Sequence, residues 1–330
     1  MYGDDSAVDK LLILKLSNGG AVLSRILITG GTGFVGGNLS HKLVQDGHEV
    51  IIIDDLTSGH LVAMHPKCTF VEGSILDEIA LAKCFTKKID YVIHLAALFA
   101  NQNSVDHPEK DLTVNGLGTL KILEWSQKSD VKKMLYASSS CVYGNSNFMD
   151  ESNQVFDPDT PYAITKLLGE RYVKFWANHY GLDVVSVRLF NVYGPGDYPG
   201  LYRSVIPNFI KLALSGEPLV ITGTGSETRD FCYVDDVVAG ICAVLFSNTN
   251  PAEVFNIASG KTTSIIKMAE TINECCGNQV DIVFTDRRSW DQVTDRKAET
   301  NKISSLIQLN TVIAVEDGIK RTCDWVRTIV

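Results

Sequence analysis

The sequence predicts an α/β fold: a doubly wound parallel sheet with a smaller, interleaved α/β domain toward the C-terminus. From Arg25 onward, strand-like runs of β-branched residues alternate with helix-like runs, and this alternation produces parallel strands with helices on both faces. A glycine cluster at 30–36 lies between the first strand and the first helix. Several strands end in polar or small residues, and the carboxyl ends of parallel strands are where such sheets bind ligands.

The elements of the first half follow in chain order. Aliphatic and β-branched runs predict strands at Arg25–Thr29, Glu49–Ile53, Thr69–Glu72, Tyr91–Leu95, Lys133–Ala137 and Leu182–Leu189. Apolar residues about one turn apart predict helices at Gly36–Asp46, Glu78–Phe85 and Asn115–Ser129, with a further helix from Pro161. His94, near the end of a strand, is interpreted as a structural residue rather than a catalytic one.

After residue 190 the pattern changes to turns and shorter elements. Glycine and proline at 194–200 indicate turns. The elements predicted beyond them are a helix Val205–Leu214, a strand Leu219–Thr222, a loop Gly223–Arg229, and helices Ser264–Cys276 and Val315–Val326. Phe231–Val234 and a helix Asp236–Phe246 are predicted to return to the main sheet. The predicted domains are therefore 25–190 with 231–258, and 191–230 with 259–330.

Composition narrows the classes of function. The chain has 330 residues, 45% of them hydrophobic, and a net charge of −9, which argues against nucleic acid or an anionic membrane as a partner. Its eight cysteines form no CxxC pair, so reduced thiols in a cytoplasmic protein are expected. Residues 1–24 precede the repeating pattern, and an extension, a tag remnant and an unusual edge strand all remain open. Their apolar run at 11–14 is too short for a membrane span.

The glycine cluster predicts a dinucleotide site. Gly31, Gly33 and Gly36 fit G-x-G-x-x-G, and Gly30, Gly33 and Gly36 fit G-x-x-G-x-x-G. Glycines allow a tight turn and a close approach of pyrophosphate, while the helix that follows offers free N–H groups. Asp54 ends the second strand about 20 residues later, where a carboxylate binds the ribose 2′-hydroxyl. The cofactor predicted is NAD, because a carboxylate repels the 2′-phosphate of NADP.

A second constellation predicts proton transfer. Tyr162 and Lys166 lie one helical turn apart, so the phenol and the ammonium share a face. A nearby cation favours phenolate, which predicts a lowered pKa for Tyr162 and a base able to deprotonate a substrate hydroxyl. The serines at 138–140 end a strand and are expected to hold the same substrate oxygen.

Together these motifs resemble the extended short-chain dehydrogenase/reductase family, and within it the nucleotide-sugar epimerases and dehydratases. The resemblance extends from Gly30 to about Trp325. The matching segments are Gly30–Gly36, Asp54, His94–Ala97, Asn115 with Gly118 and Thr119, Ser138–Gly144, Tyr162 with Lys166, Arg188–Gly196 and Arg229–Asp236. As a set they are specific for the family and much less specific for one reaction.

The resemblance implies a Rossmann-type fold and a tightly held NAD that is reduced and reoxidised within each turnover. The expected activity is 4-epimerisation of a UDP-hexose through a transient 4-keto sugar. Tyr162 is the expected base, Lys166 its electrostatic partner, and Ser139 the residue that hydrogen-bonds the sugar hydroxyl. A homodimer through helices near 112–125 and 165–177 is also implied.

Other contacts carry over residue by residue. Cofactor contacts are expected from Gly30, Gly33, Phe34, Val35, Gly36, Asp54, Ser74, Ile75, Leu95, Ala96, Ala97, Tyr162 and Lys166. Contacts to the nucleotide-diphosphate sugar are expected from Ser139, Ser140, Tyr162, Asn191, Leu219, Thr222, Arg229, Arg288 and Asp291. Leu219 and Thr222 would surround the base, and Asn191 and Arg229 would lie against the diphosphate. Arg288 and Asp291 match the family's basic-then-acidic nucleotide site. No metal is expected. Ser74 departs from the family's usual Asp, which weakens the expected adenine contact.

Two positions leave alternatives open. Resembling 4,6-dehydratases carry an Asp-Glu pair where this chain has Ser140 and Cys141, and decarboxylases carry Glu at the second position. Both reactions are therefore disfavoured here. Cys141 matches the catalytic cysteine of resembling 3,5-epimerases and epimerase-reductases, but no Lys or His lies between 194 and 207 to act as its partner. A non-catalytic NAD-binding module is a further alternative, which intact Tyr162, Lys166 and Ser139 disfavour.

Overall fold

The protein was analysed as a computed structural model that describes residues 23–146, 149–153, 155–288, 290–291, 293–307 and 312–330. Most of the segment 1–24, interpreted above as an extension, therefore lies outside the described residues. The strands are β1 Arg25–Thr29, β2 Glu49–Asp54, β3 Thr69–Glu72, β4 Tyr91–His94, β5 Lys133–Ser139, β6 Val184–Leu189, β7 Val192–Tyr193, β8 Leu219–Thr222, β9 Thr228–Arg229, β10 Cys232–Tyr233, β11 Val254–Ile257, β12 Thr263–Ser264, β13 Ile282–Thr285 and β14 Asp295–Arg296.

The α-helices alternate with these strands. They are α1 Phe34–Gln45, α2 Glu78–Cys84, α3 Asn101–Asp106, α4 Pro108–Asp111, α5 Gly118–Lys128, α6 Pro161–Tyr180, α7 Val205–Ser215, α8 Val234–Phe246, α9 Ile265–Cys276, α10 Asn301–Leu306 and α11 Val315–Val326. A π-helical turn at Leu112–Leu117 leads directly into α5, so this helical segment begins before the predicted Asn115. Within the described ranges, no helix has both the length and the apolar character that crossing a membrane requires.

The main sheet has seven strands in the order β11-β6-β5-β4-β1-β2-β3, and every pair is parallel. Alternate residues of each strand point to opposite faces. In β1, Ile26 and Ile28 join the hydrophobic cluster that contains α1 and α8, whereas Leu27 joins the cluster that contains α2, α5 and α6. Helices cover both faces, and the predicted doubly wound α/β fold is confirmed.

One predicted strand lies elsewhere. Phe231–Val234 was expected in the main sheet. Within this segment only Cys232 and Tyr233 form a strand, β10, and it pairs with β7 in a separate two-stranded sheet. The seventh strand is instead β11, which pairs with β6. The difference follows from length, because a two-residue strand cannot span the sheet, while the helix after it still packs against α1 and β5.

The strands after residue 215, other than β10 and β11, form two small sheets. β8 pairs with β13, and β9 lies between β12 and β14. The end of the predicted loop 223–229 is therefore strand β9. The main-sheet strands all fall within 25–190 and 231–258, and the predicted division into two domains stays a prediction.

A buried ion pair joins β6 to α6. Arg188 donates two hydrogen bonds to Glu170, Nε to Oε1 at 2.9 Å and Nη2 to Oε2 at 2.7 Å. Its Nη1 donates to the hydroxyl of Tyr143 at 2.7 Å, and Ser138 Oγ donates to Glu170 Oε1 at 2.6 Å. The Arg188 side chain is 2% exposed, so this network satisfies a charge that has no access to water.

Glu170→Ala should therefore destabilise the protein strongly. Removing the carboxylate leaves Arg188 buried and unpaired, which costs about 3–5 kcal/mol of unfolding free energy. Urea denaturation followed by circular dichroism measures the change. Glu78→Ala is the matched control, because Glu78 pairs with Lys121 at the surface and such pairs contribute roughly 0–1 kcal/mol. Equal losses in the two variants would contradict the role given to the buried pair.

Candidate functional site

A cavity of about 1270 Å³ lies at the carboxyl ends of the main-sheet strands and continues toward the small sheets. The sequence-predicted residues that line it are Gly30, Gly33, Phe34, Val35, Gly36, Asp54, Ser74, Ile75, Leu95, Ala96, Ala97, Ser139, Ser140, Cys141, Tyr162, Lys166, Asn191, Thr222, Arg229, Arg288 and Asp291. Residues far apart in the chain thus meet in one space. Their individual roles stay predictions.

Leu219 is the exception. Its side chain is fully buried in the core, because residues along β8 alternate between buried and exposed positions. Val220 and Thr222 occupy the other face and line the cavity. Leu219 itself is not part of the cavity wall, which Val220 and Thr222 line, and its predicted place beside the base stays a prediction.

The glycine turn brings three backbone segments into direct contact. Gly30 has φ +70°, and a Cβ there would lie 2.7 Å from the backbone N of Ala96. A Cβ on Gly36 would lie 2.4 Å from the carbonyl oxygen of Gly30. Both distances are shorter than any real contact, so only glycine allows β1, α1 and the end of β4 to approach this closely.

The start of α1 fits an anionic group. Gly33 is its N-cap and provides no side-chain cap, and the first turn contains no acidic residue. A Cβ on Gly33 would meet only the Gly30 carbonyl, at 3.2 Å, so the space above the turn faces the cavity. The first N–H groups of α1 therefore remain available, as a pyrophosphate requires.

Asp54 lies beside this turn at the end of β2. Its Oδ2 accepts a hydrogen bond from the N–H of Thr32, and its Oδ1 accepts one from Leu56, each at 3.0 Å. These bonds fix the carboxylate between the glycine turn and the loop after β2. The arrangement fits the adenosine side of a dinucleotide, with Ser74 and Ile75 lining the adjoining wall.

Tyr162 and Lys166 lie on the first turns of α6. Thr160 caps this helix by accepting from the N–H of Ala163 at 3.3 Å, and Pro161 occupies the first position. Lys166 Nζ lies 5.7 Å from the centre of the Tyr162 ring and donates to the carbonyl of Ala137 at 2.8 Å. The helix and the end of β5 thereby place phenol, ammonium and Ser139 at one point of the cavity.

The electrostatics of this pair differ from the sequence expectation. Burial raises the pKa of Tyr162, the nearby Cys141 raises it further, and a hydrogen bond with Ser139 opposes the rise. Burial lowers the pKa of Lys166 to about 8, against the opposing charge of Asp111. The predicted lowering of the Tyr162 pKa is therefore wrong for the surroundings that the chain itself provides, because burial disfavours the charged form of the phenol.

His94 is structural, as interpreted. Its Nδ1 lies 2.7 Å from Thr29 Oγ1 and its Nε2 lies 3.0 Å from Thr119 Oγ1. Burial lowers its pKa to about 3, so the imidazole is neutral at physiological pH. It ties β4 to β1 and α5 below the cavity.

The far end of the cavity contains several arginines. Arg229 Nη2 lies 3.6 Å from Asp291 Oδ1, and Arg287 Nη2 lies 3.8 Å from the same atom. Arg229 also donates to the carbonyls of Thr228 and Val293 at 2.9 and 3.0 Å, which fixes it in place. Burial, followed by the charge of Arg296, lowers the pKa of Arg229. An anion bound beside Arg229 would offset that repulsion.

Two hydrogen bonds span the cavity mouth. Trp290 Nε1 donates to Gln102 Oε1 at 3.0 Å, and the Tyr202 hydroxyl donates to Asp106 Oδ2 at 3.0 Å. Each bond joins α3 to a segment after residue 190. The sequence analysis missed these four residues, because the short helix α3 has no apolar period and the contacts are long-range.

Arg296 is a further residue that the sequence analysis missed. It lies in β14, and its Nη1 donates to Ser140 Oγ and to Cys141 Sγ, each at 3.2 Å. Asn101 Nδ2 donates to the same sulfur at 3.6 Å. A two-residue strand in a polar stretch gives no periodic signal, so nothing in the sequence distinguished this arginine from a surface one.

Comparisons with known proteins agree with this geometry. Residues 26–258 match the model of the NAD dependent epimerase/dehydratase family. The chain is 35% identical to a putative UDP-glucose 4-epimerase of Methanocaldococcus jannaschii, over 92% of this chain and 98% of that protein. It is 33% identical to a UDP-N-acetyl-alpha-D-glucosaminuronate decarboxylase of Bacillus cytotoxicus, with the same two coverages. The solved structure of an epimerase of Methanothermobacter thermautotrophicus superimposes with a TM-score of 0.87 at 42% identity, covering 93% of each chain.

Substitution of Asp54 should weaken cofactor binding selectively. Asp54→Ala removes the predicted ribose contact and the acceptor that fixes Thr32, so the affinity for NAD should fall about 10- to 100-fold, as for a charge-assisted hydrogen bond. Titration of the cofactor-depleted protein with NAD, followed by calorimetry, measures this. Asp46→Ala is the control, since Asp46 pairs with Lys42 on the exposed end of α1. An unchanged affinity in Asp54→Ala would contradict the assignment.

Proposed function

We propose, on the premise that the chain belongs to the NAD-dependent epimerase/dehydratase family, that it inverts C4 of a UDP-hexose through a transient 4-keto sugar. Family and relatives make it an NAD-dependent nucleotide-sugar epimerase. The carbon and the sugar are the parts proposed here. One observation carries them: Tyr162, Lys166 and Ser139 converge in the cavity, and neither position after Ser139 carries a carboxyl group.

The residues described above fit NAD. The glycine turn and the N-terminus of α1 would hold its pyrophosphate, and Asp54 its adenosine ribose. When bound, NAD⁺ supplies a hydride acceptor and a positive charge on its nicotinamide ring. Everything else in the reaction depends on how the protein places and deprotonates the sugar.

Tyr162 would take the proton of the sugar hydroxyl. Its side chain is buried and lines the cavity wall. Ser139 would share the same hydroxyl, because its hydrogen bond with Tyr162 places both groups at one oxygen. Lys166 would stabilise the phenolate: with a pKa of about 8 it remains charged at neutral pH. Ala137 holds this ammonium by accepting from Nζ.

Inversion requires the keto sugar to present its other face before it is reduced again. Firm contacts to the nucleotide diphosphate and few to the sugar allow this. In the cavity the fixed arginines Arg229 and Arg287 lie at the end proposed for the diphosphate, together with Arg288 and Asp291. Asn191 is held there by a bond from its Nδ2 to the carbonyl of Asp230 at 2.9 Å.

Residues 140 and 141 decide between the alternative reactions. Dehydration needs an acid and a base, and decarboxylation needs the glutamate, at positions where Ser140 and Cys141 lie. A 3,5-epimerase or epimerase-reductase is the second candidate, since Cys141 lines the cavity and its sulfur accepts from Asn101 and Arg296. A non-catalytic NAD-binding module would not require the buried pair of Tyr162 and Lys166, so their presence favours an enzyme.

We further infer a homodimer in the cytoplasm. The two helical segments named for the interface expose large apolar side chains: Leu112 (55%), Leu117 (46%) and Phe175 (49%). Pairing these faces would remove them from water. All eight cysteines are free thiols, as a reducing compartment maintains.

Tyr162→Phe tests the mechanism. Removing the base should lower kcat about 10²- to 10⁴-fold, because proton transfer in the transition state is lost. Bound NAD should be retained, measured by its absorbance after denaturation. Tyr180→Phe, at the exposed end of the same helix, is the control. An unchanged rate in Tyr162→Phe would refute the assigned base.

Turnover in D2O tests the carbon that reacts. Hydride that leaves and returns to one carbon gives an epimer without carbon-bound deuterium, and this is the expected product from UDP-glucose or a related sugar. Mass spectrometry and NMR read the label. Deuterium at C3 or C5 would indicate an enolised ketone and favour the Cys141 alternative, and loss of water would indicate a dehydratase.

A further inference from the structure

Arg296 is a buried cation at the sugar end of the cavity. The residue is 7% exposed and lines the cavity wall. Nη1 donates to Ser140 Oγ and to Cys141 Sγ. Nε is buried and has no hydrogen-bond partner among the described residues. The guanidinium therefore has at least one N–H donor, that of Nε, available for a ligand in the cavity.

Its charge is also unpaired, in contrast to its neighbours. Arg229 and Arg287 share Asp291. No carboxylate in the described part of the chain lies within ion-pair distance of Arg296. Asp159 feels its charge through space, yet burial still raises the pKa of that carboxyl. An arginine stays charged in proteins, and a buried charge without a partner is costly. A ligand anion would supply what the chain does not.

Arg296 and the proposed diphosphate residue Arg229 lie side by side but contact different segments. β14 pairs with β9 so that Arg296 lies beside Arg229. From there Arg229 reaches the loop of Asp291, while Arg296 reaches the two residues that directly follow Ser139. Because Ser139 is the proposed contact to the reacting hydroxyl, Arg296 faces the sugar rather than the phosphates.

We propose that Arg296 binds a carboxylate carried by the sugar, so that the preferred substrate is an acidic nucleotide sugar. This rests on the proposed function for the orientation of the ligand, and it assigns a substrate class that the proposed function leaves open. Ser140 and Cys141 hold the guanidinium in position, and the carboxylate completes its hydrogen bonds. The proposal does not include loss of that carboxylate as CO₂, because the glutamate that decarboxylation needs is replaced by Cys141.

The proposed carboxylate contact can be tested by measuring ligand affinity in a variant that does not turn the sugar over. The holoenzyme of Tyr162→Phe is titrated by calorimetry with UDP, UDP-glucose, UDP-glucuronate and UDP-N-acetylmuramate. The two acids carry the carboxylate on C5 and on a lactyl ether, so they distinguish the source of the anion. The same titrations follow in the Arg296→Gln, Arg296→Lys and Arg327→Gln backgrounds, where Arg327 is an exposed arginine paired with Asp324.

One acid should bind roughly 10- to 100-fold more tightly than UDP-glucose, the size expected of a charge-assisted hydrogen bond. Arg296→Gln should abolish that preference while leaving UDP and UDP-glucose within about threefold, and Arg296→Lys should keep part of it, whereas Arg327→Gln should change nothing. Circular dichroism verifies folding, and Arg296→Lys carries the test if Arg296→Gln does not fold.

Three results would overturn the proposal: no preference for either acid, a preference that survives Arg296→Gln, or an equal loss for UDP itself, which would make Arg296 a diphosphate residue. Failure of the proposed function looks different. Wild-type enzyme that binds the acids through Arg296 but forms no epimer would refute C4 inversion and leave the carboxylate site standing. Turnover restricted to neutral sugars would do the reverse.

Discussion

The site depends on the buried ion pair between Arg188 and Glu170. Glu170 lies on α6, one turn beyond Lys166, and Arg188 lies on β6. Through Ser138 the same carboxylate reaches the end of β5, and through Tyr143 the guanidinium reaches the 3₁₀ helix Ser140–Tyr143, which directly follows that strand. The three segments that carry the proposed chemistry are therefore fixed to one another below the cavity floor. Tyr143 also donates to Asn256 at 2.9 Å, which extends the network to β11.

The position of the cavity follows from the sheet order. The chain runs outward from β1 through β2 to β3, then crosses back to β4 on the other side of β1. At such a switch point the loops that leave two neighbouring strands turn in opposite directions and open a crevice. The glycine turn and the loop after β4 are the two sides of that crevice, and the cavity extends from there over the end of β5.

Sequence reasoning succeeded where the chemistry is local. The glycine turn, Asp54 at a strand end and the one-turn spacing of Tyr162 and Lys166 are properties of short segments, so their placement in one cavity could be predicted. It failed where packing between distant segments decides. The burial of Leu219 in the core could not be predicted, because the burial phase of a four-residue strand cannot be read from its letters. Strand β11 was overlooked for a similar reason, since Phe231–Val234 resembles a strand equally well. The direction of the Tyr162 pKa shift depends on complete burial, which no local pattern reports.

The close packing around Gly30 and Gly36 divides recognition of the dinucleotide between backbone and side chain. Backbone N–H groups define the seat proposed for the pyrophosphate, and no side chain can be added there without a collision. The contact proposed for the ribose depends instead on one carboxylate, that of Asp54, and the loop after it. Preference between dinucleotides can therefore evolve, or be engineered, through Asp54 and its successors while the phosphate seat stays as it is. The pyrophosphate, which all such dinucleotides share, would meet backbone atoms, which mutation changes least. The ribose, which differs between NAD and NADP, would meet a side chain, which mutation changes most easily.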